Sequence, residues 1–141
     1  MPRPARRTVT LTSAALADLK RLGSDDANLP RLALAKLRGY EAGRIDAVPL
    51  RALAKTGDLG DCRKIYFGPG NPPSHRIVVH HIDETTVEVV EVVAVEARQD
   101  AYAYLLAANR LGRLPRETKP EFERVHQTVI ARRSRRKKPN T

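Results

Sequence analysis

Apolar and polar positions alternate through the middle of the chain, between residues 61 and 95, in the way that is typical of β-strands. This part is rich in Val and Ile, and turn residues interrupt it twice, with GPGNPPS at 68–74 and Asp-Glu-Thr at 83–85. The pattern predicts three consecutive antiparallel strands, at residues 63–67, 75–82 and 86–95.

Before these strands, the spacing changes to that of helices. A short strand at 8–12 leads into a helix that Thr12 or Ser13 caps and that ends at Gly23. A second helix follows after a polar turn and ends at Gly43. The two helices should form a hairpin.

After the strands, a closing helix is predicted over residues 98–111. Pro115 and Pro120 mark a linker, placed at 113–119, and an amphipathic helix is expected at 120–133. Residues 134–141 carry no apolar side chain and should be disordered when unbound. The whole order predicts an α+β fold, in which the N-terminal strand and the hairpin pack on a small, largely antiparallel sheet.

Composition narrows the classes of function. The chain has 141 residues, enough for one ordinary domain, and only 4% are aromatic, which disfavours RNA-binding modules that stack bases on many aromatic side chains. The net charge is +10, and most of it is C-terminal, with 11 basic and 3 acidic residues between Arg110 and Thr141. Such a segment indicates binding to nucleic acid, an acidic protein or an anionic membrane surface.

The sequence offers few residues for metal binding, disulfide formation or membrane insertion. Cys62 is the only cysteine and the four histidines are scattered, so we expect no metal site, cofactor or disulfide. No run of 18 apolar residues exists, and the basic start lacks the apolar core of a signal peptide. The expected location is the cytoplasm, with no membrane partner.

Three local motifs follow one another in a suggestive order. LGDCRKI at 59–65 leads into the first strand of the meander, HRIVV at 75–79 opens the next, and VAVEAR at 93–98 precedes Tyr104 and ANRL at 108–111. In this order, they resemble the RelE/ParE superfamily of bacterial type II toxins. The resemblance covers roughly residues 8–112 and implies that 1–112 is a RelE-like toxin domain.

The RelE branch implies a ribosome-dependent endoribonuclease that cleaves mRNA, by attack of a 2′-hydroxyl on the adjacent phosphate, and so inhibits translation. By similarity, Arg76 and Arg98 would hold and neutralise the scissile phosphate, because a guanidinium is always charged and matches phosphate oxygens with paired donors. Lys64 would add a third cation, and Tyr104 would stack on a base or assist proton transfer.

One departure concerns the second lysine that RelE-like enzymes commonly carry two residues after the first. Tyr66 occupies that position here and could substitute by stacking on a base. His80 could also serve, because we expect it on the same strand face as Arg76 and because an imidazole can exchange a proton under physiological conditions. Arg63 and Arg110 complete the expected RNA-binding set.

Two alternatives use the same scaffold without this chemistry. One is a ParE-like inhibitor of DNA gyrase, and the other is a non-catalytic binding module. Either toxin implies a small, often acidic antitoxin as partner, which the positive charge of the chain suits; the RelE branch adds the ribosome and mRNA.

Overall fold

A five-stranded sheet is the centre of the computed structural model, which describes residues 6–50, 59–70, 73–94 and 100–137. The strand order is β1-β5-β4-β3-β2. Three neighbouring pairs are antiparallel, and β1 runs parallel to β5. The strands are β1 (Thr8–Leu11), β2 (Val48–Pro49), β3 (Cys62–Phe67), β4 (His75–His81) and β5 (Thr86–Ala94).

Helices cover both faces of this sheet. On one face, helices α1 and α2 pack against apolar residues such as Ile77 and Val89. On the other face, helix α3 packs against residues such as Val78, and α4 packs on α3. The predicted α+β class with a mostly antiparallel sheet is confirmed. The helices are α1 (Ser13–Asp25), α2 (Asn28–Glu41), α3 (Asp100–Arg110) and α4 (Lys119–Lys137).

The first helix runs past Gly23, where the sequence predicts its end. Its N-terminus is capped as expected, because the Thr12 hydroxyl accepts a hydrogen bond from the Ala15 N–H at 3.1 Å. A Cβ at Gly23 would lie 3.1 Å from Cγ of Pro30 in α2. The glycine therefore permits close contact between the two helices of the hairpin rather than ending the first one.

Strand alternation assigns the residues of β3 to the two faces. Ile65 and Phe67 belong to the core under α1 and α2, whereas Cys62 belongs to the core under α3. Because successive side chains point to opposite sides of a sheet, Lys64 and Tyr66 lie on the α3 face. This placement positions the candidate site described below.

The segment between α3 and α4, predicted to be a linker, is packed. Leu114 is buried in the core under α3, and residues 116–118 form one turn of 3₁₀ helix. The apolar face of α4 then contacts α3 through Phe122, with Val125 and Val129 beside it. The helix continues through residues 134–137, where composition predicts a disordered tail; residues 138–141 lie outside the described part of the chain.

Candidate functional site

Two cations and two tyrosines meet on the α3 face of the sheet. Lys64 and Tyr66 come from β3, Arg76 comes from β4, and Tyr104 comes from α3. Tyr66 and Arg76 are direct partners in the antiparallel ladder, and Lys64 lies one pleat further along the same face. We refer to these four residues as the cation–tyrosine cluster. All four were predicted as site residues from the sequence.

Each cation of the cluster donates a hydrogen bond to a tyrosine hydroxyl. Lys64 Nζ donates to the Tyr104 hydroxyl at 2.9 Å, and Arg76 Nη2 donates to the Tyr66 hydroxyl at 3.2 Å. Each hydroxyl thus accepts a hydrogen bond from a positive group. Because a phenol both accepts and donates, the O–H of each tyrosine is left to donate to another acceptor.

Each cation also lies near both aromatic rings. Lys64 Nζ is 5.4 Å from the centre of the Tyr66 ring and 5.5 Å from that of Tyr104. The guanidinium carbon of Arg76 is 5.1 Å and 5.3 Å from the same two ring centres. Attraction between cations and ring faces offsets part of the repulsion between the like charges.

Lys64 keeps its proton in this environment. Burial alone would lower the pKa of Lys64, but hydrogen bonds to Tyr104 and Tyr66 outweigh it, and the pKa is raised. At neutral pH the cluster therefore holds two positive charges. In chemical terms, it offers an ammonium and two phenolic O–H donors to an anion.

Access to the cluster is uneven. Lys64, Tyr66 and Tyr104 are partly exposed, whereas Arg76 is fully buried at 0% exposure. An anion that reaches the site therefore meets the ammonium and the tyrosines first. In this conformation Arg76 acts through the Tyr66 hydroxyl that it bonds.

Arg98, the third predicted cation, lies outside the described residues, in segment 95–99. Its assignment remains a prediction from the sequence.

Two other predicted RNA-binding residues have different surroundings. Arg63 pairs with Val79 and so lies on the opposite face from the cluster, where it lines a cleft with Arg7 and His81. His80 shares the cluster's face, but its ring nitrogens contact the carboxylates of Asp61 at 2.9 Å and Glu88 at 3.0 Å. Neither residue is brought into the cation–tyrosine cluster.

Arg110, also predicted to bind RNA, closes an open edge of the sheet. β1 pairs with β5 only as far as Val89, so on this side the next backbone groups of β5 have no partner strand in the described part of the chain. Asp18 accepts from the Val92 N–H at 3.0 Å, and Arg110 donates to the Val90 carbonyl at 3.0 Å. The two side chains join in a double hydrogen bond of 2.6 and 3.0 Å, so Arg110 has a structural role here.

Two buried carboxyl groups were missed by sequence reasoning. Asp18 is 0% exposed and lies on the apolar stripe of α1, three residues after Ala15. Glu91, also 0% exposed, pairs with Val78 under α3, and neither of its carboxyl oxygens has a hydrogen-bond partner among the residues that the structure describes. Burial raises the pKa of Glu91 well above its usual range, although Arg110 opposes this. The sequence signal that could have found them is an acidic residue within an apolar helix stripe, for Asp18, and within a Val-rich strand, for Glu91.

Cys62 has no reactive character. Burial, aided by the negative charge of Asp61, raises the pKa of the Cys62 thiol to about 12. Within the described ranges, no group of three or more His, Cys, Asp or Glu residues could hold a metal ion. In the same part of the chain, no helix combines the length and apolarity needed to span a membrane.

No protein-family model matches this chain, and neither does any curated protein or solved structure. The assignment of function therefore depends on the geometry of the site and on the motifs of the sequence.

Proposed function

We propose that this protein is the toxin of a type II toxin–antitoxin system, a RelE-like endoribonuclease that cleaves mRNA on the ribosome. The observation that carries the proposal is the cation–tyrosine cluster, in which Lys64 and Arg76 each bond the hydroxyl of a tyrosine. The cluster unites Lys64, Arg76 and Tyr104, residues that the toxin resemblance selects from three separate elements.

The cluster suits the chemistry of RNA cleavage. When the 2′-hydroxyl gives its proton to solvent water and its oxygen attacks the neighbouring phosphorus, a 2′,3′-cyclic phosphate forms, the P–O5′ bond breaks and negative charge builds on the phosphoryl oxygens. Lys64 and the two tyrosine O–H groups would stabilise that charge. The Lys64 ammonium would also favour loss of the Tyr104 proton to the departing oxygen, since the resulting phenolate would keep a positive partner.

The remaining cations take supporting roles in this proposal. Arg76 would fix the Tyr66 hydroxyl from beneath and add positive potential. Arg98 would contact the scissile phosphate, as the toxin resemblance implies. Tyr66 replaces the second lysine of RelE-like enzymes, so its ring would stack on a base while its hydroxyl binds phosphate.

An in vitro translation reaction with mapped mRNA ends tests this function. We expect the wild type to produce cut transcripts and Lys64→Gln, Tyr104→Phe and Arg98→Ala to lose them, with little change in thermal stability. Arg31→Gln, which removes an exposed charge from α2, should cut as the wild type does. Full cleavage by the three site variants would overturn the proposal.

Inhibition of DNA gyrase on the same scaffold is a second candidate. Two observations favour it: Tyr66 stands where RelE-like enzymes carry their second lysine, and Arg76 is fully buried. A supercoiling assay separates the two functions, because only a gyrase inhibitor would block supercoiling while leaving transcripts intact.

The toxin proposal also implies partners and a location. A small acidic antitoxin would neutralise the positively charged chain, and the ribosome with its mRNA would be the target. Both place the protein in the cytoplasm.

A further inference from the structure

Helix α4 changes character half-way along its length. Its first half is attached to α3, where Phe122 and His126 stack with Tyr102 at ring-centre distances of 6.3 and 6.1 Å. The Tyr102 hydroxyl and Nδ1 of His126 also form a hydrogen bond of 2.8 Å. These contacts fix the position and direction of the helix.

The second half of α4 extends beyond α3. Only eight residues join the end of α3 to the start of α4, and Tyr102 near the start of α3 contacts His126 well inside α4, so the two helices run antiparallel. Tyr102 is the third residue of α3, so the part of α4 after His126 continues past the start of α3. We call residues 129–137, which span roughly 13 Å of helix at 1.5 Å per residue, the projecting half.

The projecting half lies at the end of the molecule that holds the candidate site. The N-terminal half of α3 carries Tyr104, and Arg76 pairs with Val93 near the end of β5 that leads towards α3. The projection and the cation–tyrosine cluster are therefore at the same end of α3.

The projecting half is strongly basic. From Arg124 to the end of the chain there are seven Lys and Arg residues and no acidic residue. The positions that continue the packed stripe of Phe122 and Val129 by helical spacing are 133 and 136, and both are arginines. Because a charged guanidinium is costly to bury, the sequence does not continue the apolar stripe into this half.

We propose that residues 132–137 form a docking helix for the phosphate backbone of RNA next to the candidate site. The proposal deepens the function proposed above, since it supplies a second contact for the same RNA. These residues lie at the end of α3 that carries the candidate site, and this position favours RNA, the substrate proposed for that site, over an acidic protein. A membrane surface is disfavoured, because residues 131–137 contribute no large apolar side chain to an interfacial helix.

Two matched variants of the full chain test the proposal. The first changes Arg132, Arg133, Arg135 and Arg136 to Gln, and the second changes Lys20, Arg31, Lys36 and Arg38 to Gln on the hairpin side. Each removes four positive charges, and Gln preserves helix propensity. Binding to a fluorescent single-stranded RNA of 20 nucleotides would be measured by anisotropy between 50 and 200 mM salt.

We expect the first variant to bind at least about tenfold more weakly at 100 mM salt and to lose about 2 to 3 units from the slope of log K against log salt concentration. The hairpin variant should stay within about twofold of the wild type. Unchanged binding by the first variant, or an equal loss in both, would overturn the proposal. So would loss of binding to anionic vesicles with RNA binding intact.

The outcome is separable from that of the nuclease proposal. Tyr104→Phe should lose cleavage while its binding to the RNA probe stays within about threefold of the wild type. If no protein cleaves mRNA but the reduced salt slope persists, the docking helix stands and the nuclease assignment fails. If cleavage occurs and the slope is unchanged, the reverse holds.

Discussion

Lys64 on β3 and Tyr104 on α3 are joined by a hydrogen bond of 2.9 Å across the interface between the sheet and the helix. The two residues are 40 positions apart, so the bond depends on the docking of α3. It makes the lysine and the phenol one chemical unit, in which the cation stabilises negative charge on the oxygen.

The first prediction is that these two residues act together in cleavage. Lys64→Gln and Tyr104→Phe should each reduce the cleavage rate by about 100-fold, and the double variant should lose little more. A double-mutant cycle on single-turnover cleavage measures this coupling. Losses that multiply in the double variant would show that the two groups act independently.

The second prediction concerns the capped edge of the sheet. Asp18→Ala should lower the free energy of unfolding by about 3 to 5 kcal/mol, because it removes the carboxylate partner of Arg110 and leaves the Val92 N–H without an acceptor. Urea unfolding measures the loss. Arg21→Ala is the control, because Arg21 bonds the same carboxylate and should cost less than about 1 kcal/mol. A similar small cost for Asp18→Ala would contradict the structural role given to Arg110.

The third prediction is a pH dependence set by Glu91. Its pKa is raised in the folded state, so the folded protein binds this proton more tightly than the unfolded chain does. Stability from this group is complete below the ordinary pKa and falls as the pH rises towards the folded value, by up to about 1.4 kcal/mol per pH unit. Glu91→Gln should therefore be more stable than the wild type at pH 7 and similar to it at pH 4.

Urea unfolding at the two pH values checks this sign. Glu84→Gln, on an exposed turn, is the matched control and should change stability little at either pH. A Gln variant of Glu91 that is less stable at pH 7 would mean that the carboxylate is ionised and paired with the nearby cations.

The fourth prediction concerns the attachment of α4. Phe122 is 5% exposed and stacks on Tyr102, so Phe122→Ala should cost about 3 kcal/mol and release the helix. Hydrogen exchange across residues 119–130 would rise in this variant. Ile130→Ala is the control, because Ile130 is 39% exposed and should leave exchange unchanged. Slow exchange in Phe122→Ala would show that other contacts hold the helix.

The part of the cation–tyrosine cluster that could be predicted from the sequence is the part set by strand periodicity. Lys64 and Tyr66 are two residues apart in a strand, so they must share a face, and a helix packed on that face brings Tyr104 over them. The same alternation separates Arg63 from Lys64, and it could have removed Arg63 from the predicted set. The faces of Lys64, Tyr66 and Arg63 depend on local geometry alone, whereas the position of Tyr104 depends on the docking of α3.

The roles of Arg110 and Asp18 depend on tertiary packing, which the periodicity of the sequence does not predict. Their ion pair forms only because β1 stops at Leu11 and leaves the last part of β5 uncovered between two helices. The role of Gly23 also depends on tertiary packing, because the glycine is required only where Pro30 of α2 lies against it. Pairings over long sequence separations were therefore the part that could not be predicted.

The capped edge of β5 limits how another polypeptide can join this molecule. Its amide and carbonyl at Val92 and Val90 are already bonded to side chains, and at the opposite rim the described strand β2 is two residues long and ends in Pro49, which has no N–H to donate. Strand addition is a common way to bind a disordered peptide, but these two sites offer it few unbonded backbone N–H and C=O groups. A polypeptide that adds a strand to this sheet would therefore have to use the outer edge of β1, where the Val9 N–H already donates to the Glu41 carboxylate.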